Sequence, residues 1–69
     1  MIHSHTFENS SMLRDCSYDD DTSELSVTFT NGRTYTYENV AEMTYQGLIA
    51  AENPGKYFNS IKKDLSIKN

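Results

Sequence analysis

The sequence predicts a small α+β domain, in which a three-stranded antiparallel β-meander is followed by two helices packed on one face of the sheet. Two observations predict this fold class. Apolar and polar residues alternate on both sides of Asn31-Gly32, a pattern typical of a β-hairpin. After Val40 the apolar residues follow helical spacing instead, and Pro54-Gly55 interrupts them.

The length of 69 residues limits the chain to one domain with a small core. We divide it into a flexible N-terminal arm at residues 1–9, a single domain at residues 10–66 and a tail at residues 67–69. Cys16 is the only cysteine, so no intramolecular disulfide can form, which favours a reducing compartment. No apolar run approaches the roughly 20 residues of a membrane span, and the N-terminus lacks a signal-peptide pattern. We therefore expect a cytoplasmic protein with no membrane association.

The formal net charge of −4 argues against extensive binding to a nucleic-acid backbone, because such binding needs clustered lysine and arginine. The charge is unevenly distributed, because acidic residues predominate before position 53. After that position, the single acid Asp64 stands among Lys56, Lys62, Lys63 and Lys68. The sequence thus predicts a basic C-terminal patch on an acidic protein.

Two strands are predicted before the hairpin turn. Residues 12–18 alternate loosely and predict the first strand, with Met12, Arg14, Cys16 and Tyr18 on one side. Residues 19–23 are acidic turn formers. Residues 24–30 alternate clearly and predict the second strand.

The length of the hairpin loop decides which side chains share a face. A two-residue loop would point the tyrosines of the returning strand away from the core. A loop of residues 30–32, with Gly32 left-handed in a bulge, gathers the apolar groups instead, so we predict this loop. The shared face would then carry Leu25, Val27, Phe29, Tyr35 and Tyr37.

Two helices are predicted after the hairpin. Asn39 is a suitable N-cap for a helix that begins near Val40. This first helix is apolar over most of its circumference, so we expect it to be largely covered by the rest of the domain. Proline disfavours the helical conformation of the residue before it, so this helix ends at Pro54-Gly55. A second helix is predicted over about residues 56–66, with Tyr57, Phe58, Ile61 and Leu65 at helical spacing.

A set of residues distributed through these elements resembles a known family. The set comprises Ser10-Ser11, Tyr18-Asp19, Leu25, Val27, Phe29, Asn31-Gly32, Tyr35, Tyr37, Val40, Ala51 and Gly55-Lys56-Tyr57-Phe58-Asn59. From about Ser10 to Ile61 it resembles the KTSC domain, which is named after its occurrence at the C-terminus of some lysyl-tRNA synthetases. The family also occurs as small stand-alone proteins of bacteria and phages. Ala41 stands where the family usually has proline, and Asn53-Pro54 departs from its usual serine. The resemblance implies the fold but no reaction.

Three patterns that could carry chemistry have simpler explanations. Cys16 could act as a nucleophile only with a histidine base held within hydrogen-bond reach of its thiol. His3 and His5 lie in the predicted flexible arm, so we expect no such pair. His3-x-His5 has too few companion ligands for a structural zinc site. Residues 19–23 alternate as in a calcium loop but lack the glycine and the glutamate of an EF-hand. We therefore expect no catalytic residues, no metal and no cofactor.

Residues 55–59 are the strongest candidates for binding. Tyr57 and Phe58 are about 100° apart on a helix, so one of them should lie at the rim of the domain. Beside Lys56, Asn59 and Lys62, a rim aromatic could stack on a base or anchor a partner peptide. Alternatively, Tyr57 buries its ring and bonds its hydroxyl to a loop, which we favour.

The serines before the first strand also allow two interpretations. Ser10 and Ser11 either cap the start of the sheet, which we favour, or hold a ligand. The candidate contact residues are therefore Ser10, Ser11, Tyr18, Gly55, Lys56, Tyr57, Asn59 and Lys62.

We expect a non-enzymatic interaction module that binds a protein, such as a phage-encoded modulator of a host protein. The alternative is an RNA- or nucleotide-binding accessory domain, indicated by the synthetase association and by the lysines after Pro54. The predicted hairpin could also leave an open sheet edge, so self-association into a homo-oligomer is a further expectation.

Overall fold

A five-stranded antiparallel sheet and two helices make up the fold of residues 1–8 and 10–68, which the computed structural model describes. The sheet order is the chain order, β1-β2-β3-β4-β5. The elements are β1 (Ile2–Thr6), β2 (Leu13–Asp19), β3 (Glu24–Phe29), β4 (Thr34–Glu38), α1 (Glu42–Ala50), α2 (Pro54–Ile61), a 3₁₀ turn (Lys62–Asp64) and β5 (Ser66–Ile67).

The predicted α+β class is confirmed, but the prediction of three strands is wrong, because the sheet has five. β1 lies in the segment that we expected to be an arm, and it pairs with β2 from Ile2 opposite Asp19 to Thr6 opposite Asp15. Its side chains are mostly exposed, so the strand is held by backbone hydrogen bonds and shows no apolar alternation.

β5 occupies the region predicted as the end of the second helix and the tail. Ile67 pairs with Tyr37, and Ser66 pairs with Glu38, so this short strand covers part of the outer edge of β4. The expectation of an open edge on the predicted hairpin is therefore wrong over these residues. Both β3 and β4 lie inside the sheet, and β1 forms one of its outer edges.

β2 contains an irregularity that changes which side chains face the core. The register shifts between Leu13, which lies opposite Phe29, and Asp15, which lies opposite Thr28. The extra residue in this bulge is Arg14, which is exposed, whereas Leu13 is buried. The predicted face of β2 is therefore wrong in its first half.

The β3–β4 hairpin has the predicted register. Val27 lies opposite Tyr35. Gly32 adopts a φ of 88°, and its N–H donates to the carbonyl of Phe29 at 2.9 Å. The N–H of Phe29 donates to the carbonyl of Arg33 at 2.8 Å, which closes the three-residue loop.

The helix boundaries differ from those predicted. Asn39 has a φ of 57° and turns the chain, so it is not the N-cap of α1, which begins two residues after Val40. Buried Val40 instead donates its N–H to the carbonyl of Ser23 at 2.8 Å. α2 begins earlier than predicted, at Pro54, because a proline at the first helical position loses no hydrogen bond.

The core lies between the helices and one face of the sheet. Its buried residues are Phe7, Leu13, Cys16, Tyr18, Leu25, Val27, Tyr37, Val40, Tyr45, Leu48 and Phe58. α1 contributes Tyr45 and Leu48, but its Met43 is 85% exposed, so the expectation of a largely covered helix is wrong at that position. Neither helix in the described part of the chain is long and apolar enough to cross a bilayer.

Candidate binding surface

Ser10 organises the turn that leads into β2. Its hydroxyl accepts hydrogen bonds from the N–H groups of Met12 at 3.2 Å and Leu13 at 3.0 Å. The neighbouring Ser11 is exposed, and its carbonyl accepts a bond from the hydroxyl of Thr30 at 3.1 Å. Ser10 therefore acts as a local cap, and Ser11 leaves its side chain on the surface.

Helix α2 lies against this turn. A Cβ on buried Gly55 would be 3.3 Å from the Cβ of Met12, so the glycine permits a close approach between the two segments. Farther along α2, the side-chain amide of Asn59 contacts the sulfur of Met12 at 3.9 Å. Met12 is thus covered on one side by the helix and remains half-buried.

These contacts bring several of the predicted site residues together. Lys56 and Asn59 are exposed and lie three residues apart on α2, where side chains are neighbours. Together with Ser11 and Met12 they form what we call the loop–helix surface. Lys62 is exposed a further three residues along, at the C-cap of α2, and so extends the surface.

Asn53 fixes the start of α2 beneath this surface. Its side-chain oxygen accepts a bond from the N–H of Lys56 at 3.1 Å, the geometry of an N-cap. The backbone that carries Lys56 is therefore held at the first turn, while its side chain is exposed.

Tyr57 faces away from the loop–helix surface and packs on α1. Its hydroxyl lies 3.5 Å from the carbonyl oxygen of Thr44, and a Cβ on Gly47 would be only 2.3 Å from the same hydroxyl oxygen. Gly47 therefore makes room for the ring. The adjacent Phe58 is fully buried. This geometry corresponds to the alternative in which Tyr57 packs its ring within the domain and does not contact a partner.

Tyr18 is buried at the centre of the domain. Its hydroxyl donates to the carbonyl of Val40 at 2.6 Å, and its ring stacks on that of Tyr45 at a centroid distance of 5.0 Å. Only 2% of Tyr18 is exposed, so the structure places it outside the loop–helix surface. The bond links β2 to the segment that precedes α1.

Cys16 pairs with His5 across β1 and β2, because the N-terminal residues form a strand. This pairing was not predicted from the sequence. Burial, with a smaller contribution from Asp15, raises the pKa of Cys16 to about 12. The thiol therefore stays protonated near neutral pH, whereas a nucleophilic cysteine needs a thiolate.

The acidic turn after β2 forms ion pairs with groups of the chain itself. Carboxylate oxygens of Asp19, Asp20 and Asp21 lie within 4.8 Å of one another. The amino group of Met1 pairs with Asp20 at 2.8 Å and with Asp21 at 2.7 Å, and His3 Nε2 lies 2.8 Å from Asp20. The bond from the amino group, followed by that from His3, lowers the pKa of Asp20. The terminal amino group thus offsets part of the negative charge of this cluster.

A surface pocket of about 180 Å³ was not predicted from the sequence. It lies where β1 ends against the end of α1 and the beginning of α2. The prediction missed it because one wall belongs to the segment expected to be an arm. Its lining residues are His5, Phe7, Glu8, Ile49, Ala51, Glu52 and Pro54.

The geometry defines a small α+β domain with a five-stranded meander and an exposed loop–helix surface. The sequence model of the KTSC domain matches residues 9–64, and the chain belongs to this family.

Two curated proteins are similar in sequence, and a solved KTSC domain structure shares the fold. An uncharacterized protein of Stutzerimonas stutzeri is 39% identical over 54 residues, which cover 78% of this chain and 76% of that protein. A protein of Tsukamurella paurometabola is 37% identical over 54 residues, which cover 78% of this chain and 81% of the relative. The crystal structure of a KTSC domain protein from Yersinia pestis superposes with a TM-score of 0.89 at 26% identity, covering 100% of this chain and 97% of the other.

Proposed function

We propose that this KTSC domain is a non-enzymatic interaction module that binds a protein partner through the loop–helix surface. The observation that carries the proposal is the contact between Met12 and Asn59, which are 47 residues apart in the chain. It places half-buried Met12 among exposed Ser11, Lys56 and Asn59. A partly apolar centre with a polar rim is the usual composition of a protein interface, and methionine adapts readily to a partner.

The other candidate residues support this surface from beneath. Ser10 shapes the turn, and Gly55 allows the helix to approach it. Tyr18 and Tyr57 pack within the domain. We therefore assign direct contact to Ser11, Met12, Lys56, Asn59 and Lys62, and structural support to the other four.

The non-enzymatic part of the proposal draws support from Cys16. It lies opposite an imidazole, yet burial keeps its thiol protonated. We also propose a cytoplasmic location, in a bacterium or in the host of a phage, where a free thiol remains reduced.

Affinity capture from a bacterial lysate tests the proposal. The tagged chain is compared with Lys56→Ala/Asn59→Ala and with a matched control, Glu42→Ala/Gln46→Ala, whose exposed side chains lie on α1. We expect the wild type and the control to retain a protein that the first variant loses, with or without RNase. Calorimetry with the purified partner should then show affinity at least about tenfold weaker for the first variant, the loss of about 1.4 kcal/mol.

Two results would contradict the proposal. Equal retention by all three proteins would exclude the loop–helix surface as the contact. Loss of secondary structure in Lys56→Ala/Asn59→Ala, measured by circular dichroism, would show that these residues are needed for folding instead of for contact. The control variant tests whether truncation of exposed helical side chains by itself alters capture.

An RNA- or nucleotide-binding function is the second candidate, because Lys56, Lys62 and Lys63 are all exposed. None of them takes part in an ion pair within residues 1–8 and 10–68. Under this function, capture would disappear with RNase and affinity would fall steeply with salt. Lys62→Ala/Lys63→Ala should then flatten the salt dependence.

A further inference from the structure

The pocket beside α2 has a lining that is more polar than apolar, and three elements contribute its apolar part. Phe7, just after β1, is 7% exposed, and its ring contacts that of His5 edge-on at a centroid distance of 4.9 Å. Ile49, near the end of α1, is half-buried, and Pro54 at the start of α2 is buried. Phe7 and Pro54 expose little of their surface, so these groups form a small apolar floor beneath the polar groups of the pocket.

The charged groups of the pocket are negative. Glu8 and Glu52 both line it and are both exposed. Across the described residues, neither carboxylate has an ion-pair or side-chain hydrogen-bond partner in this structure. α1 also ends at this pocket without a basic residue in its last turn, and the C-terminus of a helix carries a partial negative charge. The N-terminus of α2 begins at the same pocket and carries the opposite partial charge, so the negative charge of the pocket comes from the two carboxylates.

The size of the pocket restricts what can enter. Sites for drug-sized ligands measure roughly 300–1,000 Å³. At about 180 Å³, this pocket accommodates a single side chain. A long cationic side chain matches this lining, because its methylene groups can cover the small apolar part while its charged head reaches the carboxylates.

We propose that this pocket receives a lysine or arginine side chain of a protein partner, held between Glu8 and Glu52. The proposal rests on the proposed protein-binding function and names the partner chemistry that the domain recognises. Pro54 in the pocket adjoins Gly55 beneath the loop–helix surface, so one partner segment can contact both.

Nuclear magnetic resonance titration of the ¹⁵N-labelled chain tests the proposal directly. The probes are N-acetyl-lysine methylamide, its arginine counterpart and the uncharged norleucine counterpart. We expect saturable shifts of the amide signals of Phe7, Ile49 and Ala51 with both cationic probes and none with norleucine at equal concentration.

Charge-neutral variants provide the second readout. Glu8→Gln/Glu52→Gln should weaken binding of the lysine probe about tenfold, because the two charge-assisted contacts are lost. Glu42→Gln, an exposed carboxylate at the opposite end of α1, should leave the affinity unchanged. Both variants replace exposed side chains, and their amide spectra report whether each is folded.

The proposal is overturned by equal shifts with norleucine, by unchanged affinity in Glu8→Gln/Glu52→Gln or by no saturable shift at millimolar concentration. It is also overturned if n-butylammonium binds while the peptide Gly-Gly-Lys-Gly-Gly does not, since the site would then select a small amine. The titration uses no captured partner and leaves Lys56 and Asn59 intact. Failure of the pocket proposal is therefore distinguishable from failure of the loop–helix surface in the capture experiment.

Discussion

Replacement of Tyr18 by phenylalanine removes the hydroxyl that donates to the carbonyl of Val40 at 2.6 Å. Both residues are almost fully buried, with exposed fractions of 2% and 1%, so water cannot replace the lost donor without a structural change. An unsatisfied buried acceptor costs about 1–3 kcal/mol. The ring of phenylalanine can still stack on Tyr45, so this penalty should dominate the change.

We expect a loss of about 2 kcal/mol in the free energy of unfolding. For a domain of this size, this loss corresponds to a fall in the melting temperature of about 8–16 °C. Urea unfolding followed by circular dichroism measures the free energy, and calorimetry measures the melting temperature. The matched control is Tyr35→Phe, because Tyr35 is half-buried and its hydroxyl lacks a hydrogen-bond partner among the described residues. It should change the free energy by less than about 0.5 kcal/mol.

Equal losses in Tyr18→Phe and Tyr35→Phe would refute this reasoning, because the effect would then come from the hydroxyl in general. A Tyr18→Phe protein of unchanged stability would refute it as well. If such a protein also failed to bind the captured partner, Tyr18 would be a contact residue and its structural assignment would be wrong.

Two further predictions concern α1 and the buried thiol. Gly47→Ala should stabilise Tyr57→Ala by about 1 kcal/mol through helix propensity, but not the wild type, where the new Cβ would clash with the Tyr57 hydroxyl oxygen. Urea unfolding of the four proteins should give a coupling of about 1–2 kcal/mol, and simple additivity would exclude the contact. The folded state raises the pKa of Cys16 from 9.0 to about 12, so the unfolded thiol ionises first and stability should fall as pH rises above about 9. Unfolding at pH 8, 9 and 10 should show a shallower fall for Cys16→Ala than for the wild type, and parallel slopes would contradict the assigned cause.

The hairpin was predictable because its information is local. Alternating residues specify one buried face, and Gly32 can adopt the positive φ that the three-residue loop requires. Val27 opposite Tyr35 then follows from the need of a small domain to gather its apolar groups. A break between two helices was also predictable from Pro54-Gly55, but its predicted position was wrong, because α1 ends at Ala50 and Pro54 is the first residue of α2.

The edge strands and the bulge were not predictable in the same way. Ile2–Thr6 and Ser66–Ile67 are mainly exposed, so no side-chain pattern marks them, and they become strands only when a neighbour supplies hydrogen bonds. Nothing in the sequence around Arg14 indicates an extra residue. Asn39 suits an N-cap and also a positive φ, and the tertiary bonds of Val40 decide between these roles.

The candidate site was only partly predictable. Ser10, Lys56 and Asn59 were predicted as site residues, and the structure brings their segments together around Met12. The orientation of Tyr57 was left open, because the space that Gly47 provides for its ring exists only when α1 and α2 pack together. The pocket could not be predicted from the sequence, because β1, which was not expected to be a strand, forms one of its walls.

The sequential order of the strands has a consequence for how the domain assembles and opens. The pairs β1–β2, β2–β3 and β3–β4 each join strands that follow one another directly in the chain, so they close short loops and can form early. β5 must instead return to β4 across both helices, and its two residues are exposed. We therefore infer that the β4–β5 pairing forms last in folding and opens first in the native state. This local opening exposes little of the core. In hydrogen exchange, the amides of β5 should lose protection well before those of β2 and β3.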